Sequence, residues 1–256
     1  MSVNSVYYLG IDEAGRGSVI GPLVMGAVVI NQKTLELYTK LGITDSKKLT
    51  SQKREEFFET IKGSSSSFST VLLSPADIDS AVISTSTNLN MLELQTMTDL
   101  IIKHSEATDV YIDAISKPDY CTSNLKSLLK KETSFSMIKK VNTDTLQMVR
   151  EFNNELRDVR LIAQNKADLN YKAVSAASIL AKVTRDSEIR KLEKEFNLEE
   201  KILASGYPNQ QLLPFLEQYK KEIKAKKFPF IRYSWDWAPL RKIVSKDSLK
   251  QSKLVY

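Results

Sequence analysis

Two runs of strand-forming residues open the chain, at 6–12 and 23–30, separated by a glycine-rich turn and a Gly21-Pro22 break. The second run, LVMGAVVI, is apolar throughout and reads as a buried strand. The first ends on two adjacent acids, Asp12 and Glu13, followed at once by Gly15-Arg16-Gly17. This arrangement is restrictive, because successive strand side chains point to opposite faces. Both acids can serve one site only if the strand ends or bends between them, and Ala14-Gly15 is the predicted bend.

The pattern then alternates. ITDSKKLT reads as a polar loop, and 51–62 as an amphipathic helix with Phe57, Phe58 and Ile61 in a stripe. FSTVLLS reads as a strand, and 88–106 as a helix whose Met and Ile stripe faces the core. His104 falls in its last turn, where a cation suits the helix dipole. DVYIDA is a short strand ending in Asp113, with a helix at 124–131 after it. TDTLQMVREFNNELRDV predicts a further amphipathic helix, VRLIAQ a strand, and the following residues a long helix with its lead-in. Strands alternating with helices predict an α/β domain over 1–205. Residues 206–256 read as a helical extension ending in a basic tail.

Residue usage narrows the chemistry. There are 37 Lys and Arg against 31 Asp and Glu, a net charge of +6 that suits a polyanionic partner. One cysteine, Cys121, and one histidine, His104, exclude an intrachain disulfide, a thiolate zinc site and a multi-histidine site. Cys121 reads as a small semi-buried residue. A metal would have to be held by carboxylates, which selects hard ions such as magnesium or manganese. The N-terminus has no signal-peptide layout, and the longest apolar stretch, 20–30, is too short to span a bilayer. A cytoplasmic protein without membrane association is expected.

Three acids sit at element ends: Asp12, Asp113 and Asp168. Ends of neighbouring strands are where α/β domains gather chemistry. Carboxylates brought together repel and raise one another's pKa, and a divalent cation resolves that conflict. Two such ions can activate water for phosphoryl transfer. Simpler roles are open for each: Asp168 as a helix N-cap, Asp113 as a turn residue, Asp12 as a partner of Arg16. The Gly-Arg-Gly loop lacks dinucleotide-site spacing. It permits close backbone approach to a ligand and a phosphate grip by the arginine, or it is a plain turn. KAVSAASILAKV has small residues that let a helix pack close to a sheet, and its N-terminus favours anions beside Asp168.

GIDEAGRGSVIGPLVMGAVVI, DSKKLT, YIDA, KADLNYKAVSAASILAKVTRD, SGYPN and FIRYSW, in this order across most of the chain, resemble ribonuclease HII. The last two resemble the archaeal type and the catalytic subunit of the eukaryotic heterotrimeric enzyme. The resemblance implies a ribonuclease H-like mixed five-stranded sheet flanked by helices, with a C-terminal helical extension. It implies cleavage of RNA in RNA–DNA hybrids and of duplex DNA 5′ to an embedded ribonucleotide, leaving a 3′-hydroxyl and a 5′-phosphate. Two ions, Mg2+ or Mn2+, would be held by Asp12, Glu13, Asp113 and Asp168. Gly15, Arg16 and Gly17 would sense the ribose 2′-hydroxyl, and Tyr207 would stack on the sugar following the ribonucleotide. Ser46 and Lys47 would contact the substrate backbone, and Arg185 would have a structural or phosphate role.

Two departures stand out. The stretch between Asp113 and Asp168 is long for the family and predicts a helical insertion near 139–158. Asn165 stands where archaeal relatives often carry histidine. A monomer is expected. Catalysis that depends on accessory proteins, and a non-catalytic duplex-binding homologue, are the alternatives. In the tail, Gln251, Leu254 and Tyr256 loosely resemble a sliding-clamp peptide with incomplete spacing, against the plainer reading of a simple basic tail.

Overall fold

The computed structural model describes residues 6–44, 46 and 49–244. Lys47 and the clamp-like residues Gln251, Leu254 and Tyr256 therefore lie outside the described residues. Strands β1 (Tyr7–Ala14), β2 (Leu23–Asn31) and β3 (Ser67–Leu73) form an antiparallel meander. β4 (Asp109–Asp113) and β7 (Glu155–Gln164) add in parallel beyond β1. The order β3-β2-β1-β4-β7 is the expected five-stranded core. β6 (Thr145–Phe152) and β5 (Phe135–Lys140) then extend the sheet to seven strands, in the order β3-β2-β1-β4-β7-β6-β5.

The expected helical insertion is therefore a β-structure. β6 and β7 pair antiparallel with Phe152 opposite Glu155, leaving Asn153-Asn154 as a two-residue turn. Both asparagines have positive φ, 52° and 62°, as a type I′ hairpin turn requires. Leu146, Met148, Val159 and Leu161 face the core at period two. The helical expectation failed because Leu146, Val149 and Leu156 also suit a helical stripe, and Gln, Arg and Glu are good helix formers. The turn and the period of two prevail here. Arg150 on β6 is almost fully buried and donates to the Ile101 and Ile102 carbonyls, at 2.8 and 2.9 Å. It thus caps the end of the helix Leu89–Lys103 (α4 below). β5, at the sheet edge, is bulged between Ser136 and Ile138, where Met137 has φ 47°.

One sheet face carries α3 (Pro75–Ile83), α4 and α5 (Pro118–Leu129). His104, expected in the last turn of α4, is its C-cap residue. It is buried, with ring nitrogens 2.9 Å from Ser67 Oγ and 3.0 Å from Ser69 Oγ. The other face is covered over β1 and β2 by α6 (Lys172–Glu195), with α1 (Gln32–Leu41) packed against both β2 and α6, and α2 (Ser51–Ser64) against α6. Short helices α7 (Leu213–Gln218), α8 (Lys220–Lys224) and α9 (Ala238–Arg241) follow. Their apolar residues, Phe215, Ile223 and Leu240, join the same buried cluster as Leu9 and Ile20. The chain also returns to the β1–β2 connection: Val19 and Ile20 N–H donate to the Gly206 carbonyl, and Gly21 N–H to that of Phe230.

α6 touches the sheet at backbone distance. A Cβ on Gly10 would lie 2.0 Å from the Ala173 carbonyl carbon, and one on Gly26 2.4 Å from the Ala177 oxygen. These are main-chain atoms that no rotamer change can move. Gly10→Ala should therefore push α6 off the sheet, at a cost of about 3 kcal/mol or more. Thermal unfolding should fall by roughly 6–12 °C for a domain of this size. A wild-type melting curve for the variant would refute the contact.

Candidate active site

β1 ends where expected, at Ala14, and the chain turns at Gly15 (φ 86°), but that break lies beyond both acids. The strand stays paired through Ala14, opposite Val24, so Asp12 and Glu13 project to opposite faces. Asp12 is on the α6 side. Ile11 pairs with Ile112, so the next residues along the two parallel strands, Asp12 and Asp113, lie side by side on that face. Asp168 sits in a 3-10 turn, Ala167–Leu169, entered through Lys166 at φ 57°. The turn is tied to β4 by Ala167 N–H donating to Asp113 Oδ1 at 3.0 Å. It is tied to α6 by Ser175 Oγ donating to the Asp168 carbonyl at 2.6 Å. Asp12 and Asp168 are both buried.

Glu13 faces α4 instead, in the field of Glu93 and Arg16, with Oε2 buried and unpartnered. Asp12 and Asp113 still act on it across the strand. Burial and then Asp113 push the Asp12 carboxyl up to about 8, with Asp168 adding to the rise. Hydrogen bonds from Ser178 and the Glu13 N–H oppose it. Burial and the neighbouring acids raise Glu13 well above the usual carboxylate range, against Arg16. The four acids thus feel one another through the end of the sheet. Among the described residues no group of three or more His, Cys, Asp or Glu is arranged to hold a metal ion. The donor chemistry nevertheless suits a hard cation: Asp12, Asp113 and Asp168 offer only oxygen, and burial and neighbouring acids raise Asp12, while the unpartnered Glu13 Oε2 lies across the strand from them.

Ser46 is buried, its Oγ 3.0 Å from Ser178 Oγ, so two hydroxyls, those of Ser46 and Ser178, lead to Asp12. Its side chain faces α6. Ser178, read from sequence only as part of a close-packing helix, is therefore a ligand of the central acid.

The Gly-Arg-Gly loop meets Tyr207. Gly15 N–H donates to Tyr207 Oη at 3.2 Å, and a Cβ on Gly17 would be 3.9 Å from the ring. Gly15 has φ 86°, and a Cβ there would lie 2.1 Å from Arg185 Nε, so only glycine fits. Arg185 is fully buried, with its guanidinium 5.1 Å from the Tyr207 ring centre and Nη2 donating to the Ile20 carbonyl. It carries Tyr207 rather than reaching out to a phosphate. Arg16 is likewise turned inward. Its Nε lies 2.9 Å from Glu93 Oε1 and its Nη2 2.5 Å from Asn90 Oδ1. Glu93 and Asn90 carried no sequence signal beyond being two polar residues three apart inside the apolar stripe of α4, and Arg232 lay inside the FIRYSW block with no role assigned to it.

A sequence model of the family described as "Ribonuclease HII" matches residues 9–238. A "Ribonuclease HII" of Methanococcus maripaludis (strain C6) is 39% identical over 232 residues, covering 89% of this chain and 83% of the relative. The solved ribonuclease H2 of Pyrococcus horikoshii OT3 superposes with a TM-score of 0.71 at 33% identity, covering 93% of this chain and 97% of that one. The solved PCNA:RNase HII complex from Archaeoglobus fulgidus gives 0.69 at 26% identity, covering 97% and 98%.

The raised Asp12 carboxyl makes a prediction about stability without metal. Between its ordinary value of 3.8 and about 8, the folded protein keeps a proton that the unfolded chain has lost. Stability must then fall as pH rises through that window. Asp12→Asn keeps the acceptor for the Glu13 N–H and removes the charge. In chelator, the variant should melt above the wild type at pH 8, by roughly 2–4 °C per kcal/mol of repulsion relieved, and the gap should close toward pH 4. A gap that widens on acidification would contradict the assigned direction.

Proposed function

Because this chain belongs to the ribonuclease HII family, and is a ribonuclease H acting on RNA–DNA hybrids, we propose that it also nicks duplex DNA 5′ of a single embedded ribonucleotide. The products would be a 3′-hydroxyl and a 5′-phosphate. The observation that carries this reading is the meeting of two features at one end of the sheet. A group of mutually repelling acids around Asp12 lies a few residues from a glycine backbone braced on Tyr207.

Asp12, Glu13, Asp113 and Asp168 would hold two divalent cations, Mg2+ or Mn2+. Such ions, when bound, offset the negative charge of the scissile phosphate and ease deprotonation of the attacking water. Ser178 orients Asp12 through its hydroxyl, and Ser46 orients Ser178. Gly15 and Gly17 let main chain approach a sugar without a Cβ in the way, which allows a 2′-hydroxyl to be told from hydrogen. Tyr207, braced by Arg185, presents an aromatic face for the neighbouring sugar. Ser46 and Lys47 would contact the substrate backbone. The chain acts as a monomer on this reading. Sliding-clamp docking through residues 249–256 draws support from the Archaeoglobus fulgidus relative solved with PCNA.

The purified chain should nick a duplex with one ribonucleotide in Mg2+ or Mn2+, and nothing else should be needed. No product with either ion would overturn the proposal, while product only after adding partner proteins would favour a dependent catalytic subunit. Asp12→Asn should reduce cleavage by more than a hundredfold while duplex affinity stays within about twofold, since the basic surface is untouched. Tyr207→Ala should lose more activity on a single embedded ribonucleotide than on a long hybrid. Equal losses on the two substrates would argue against a role in reading the junction.

A further inference from the structure

The Gly15-Arg16-Gly17 loop is held from below by side chains that no substrate can reach. Glu93 is fully buried on α4, and its two oxygens lie 2.9 and 3.0 Å from Arg16 Nε. Asn90, one turn earlier and also buried, accepts from Arg16 Nη2 at 2.5 Å. Arg232 Nη1 donates to the Arg16 carbonyl at 2.9 Å, and Arg232 Nε to the Gly21 carbonyl at 3.1 Å. Ser18 Oγ donates to the Gly15 carbonyl at 2.8 Å. Two of the loop's three carbonyls are thereby oriented, and the arginine side chain is turned toward α4.

An ion pair in this setting is weak evidence for stability. Desolvating a carboxylate and a guanidinium cancels most of their attraction, and an apolar pair of similar size packs about as well. What the pair supplies is direction, because a planar guanidinium bonded through Nε and Nη2 has a fixed plane as well as a fixed distance. We propose that Glu93, with Asn90, is a positioning residue for ribose discrimination: it sets the Gly15-Arg16-Gly17 backbone through the Arg16 guanidinium without touching substrate. The assignment rests on the sugar-sensing role proposed for that loop. It predicts that loss of Glu93 is felt as loss of ribonucleotide preference more than as loss of duplex affinity.

The test measures binding of two duplexes of one sequence, one carrying a single ribonucleotide and one all DNA. Ca2+ replaces the catalytic ion, under conditions where no product forms. Wild type should prefer the ribonucleotide duplex. Glu93→Gln should cut that preference by roughly tenfold, the scale of one oriented hydrogen bond, with affinity for all-DNA duplex little changed. Asn90→Leu should act in the same direction. In an Arg16→Met background, Glu93→Gln should add nothing further, because the route runs through Arg16. Absence of preference in the wild type would sink the sugar-sensing role itself. A wild type that discriminates, with folded Glu93→Gln and Asn90→Leu proteins that discriminate equally, would sink the positioning assignment alone. So would a lower melting temperature with both affinities reduced in proportion, or an independent effect in the Arg16→Met background. Should Glu93→Gln fail to fold, the Asn90→Leu comparison decides.

Discussion

The backbone contact of α6 with β1 and β2 is the constraint from which the catalytic end of the molecule follows. Gly10 and Gly26 remove two side chains so that the helix can lie on the sheet itself. That depth brings Ser178 within reach of Asp12 and fixes the turn holding Asp168 beside β4. A helix held off by ordinary side chains would leave the acids of strand and turn too far apart to influence one another. The small residues of α6, Ala173, Ala176 and Ala177, are the other half of the same fit.

Closeness has an electrostatic cost. Asp12 is buried and Glu13 half-buried next to other acids, and the fold compensates only in part through Ser178, a backbone N–H and Arg16. Strong local packing elsewhere carries that load. The aromatic cluster of Phe196, Phe215, Phe228 and Phe230 anchors the C-terminal segment to the connection that leaves β1. Arg232, whose pKa burial and the adjacent Arg185 push down to about 9, then spends its donors on main-chain carbonyls of that connection. The cost of two buried arginines near each other is accepted where a loop has to be held still.

Much of this was legible in the sequence, and the misses share a cause. Short apolar runs ending in Asp12 and Asp113 marked strands and their acids, because a period of two and a terminal charge are local signals. The seven-stranded sheet was not legible as such. Residues 143–159 satisfy a helical stripe nearly as well as a strand, and the Asn153-Asn154 turn was passed over. The chain does turn at Ala14-Gly15, but pairing with β2 keeps the strand regular past Glu13, so the turn does not bring Asp12 and Glu13 to one face. Ser178, Glu93 and Arg232 have their meaning only in partners distant along the chain. Arg16 and Glu93 are 77 residues apart, and Arg232 and Arg16 are 216 apart. No spacing rule reaches that far.

The hairpin that lengthens the sheet changes the standing of β7. In a five-stranded version β7 would be the border strand, with one row of amides open to water and free to fray. With β6 alongside, β7 is bonded on both edges, and the border has moved two strands outward to β5. That new border is bulged at Met137 and carries Lys139 and Lys140, features that discourage another chain from docking there. The strand leading into Asp168 thus becomes interior, and its amides belong among the last to exchange with solvent deuterium.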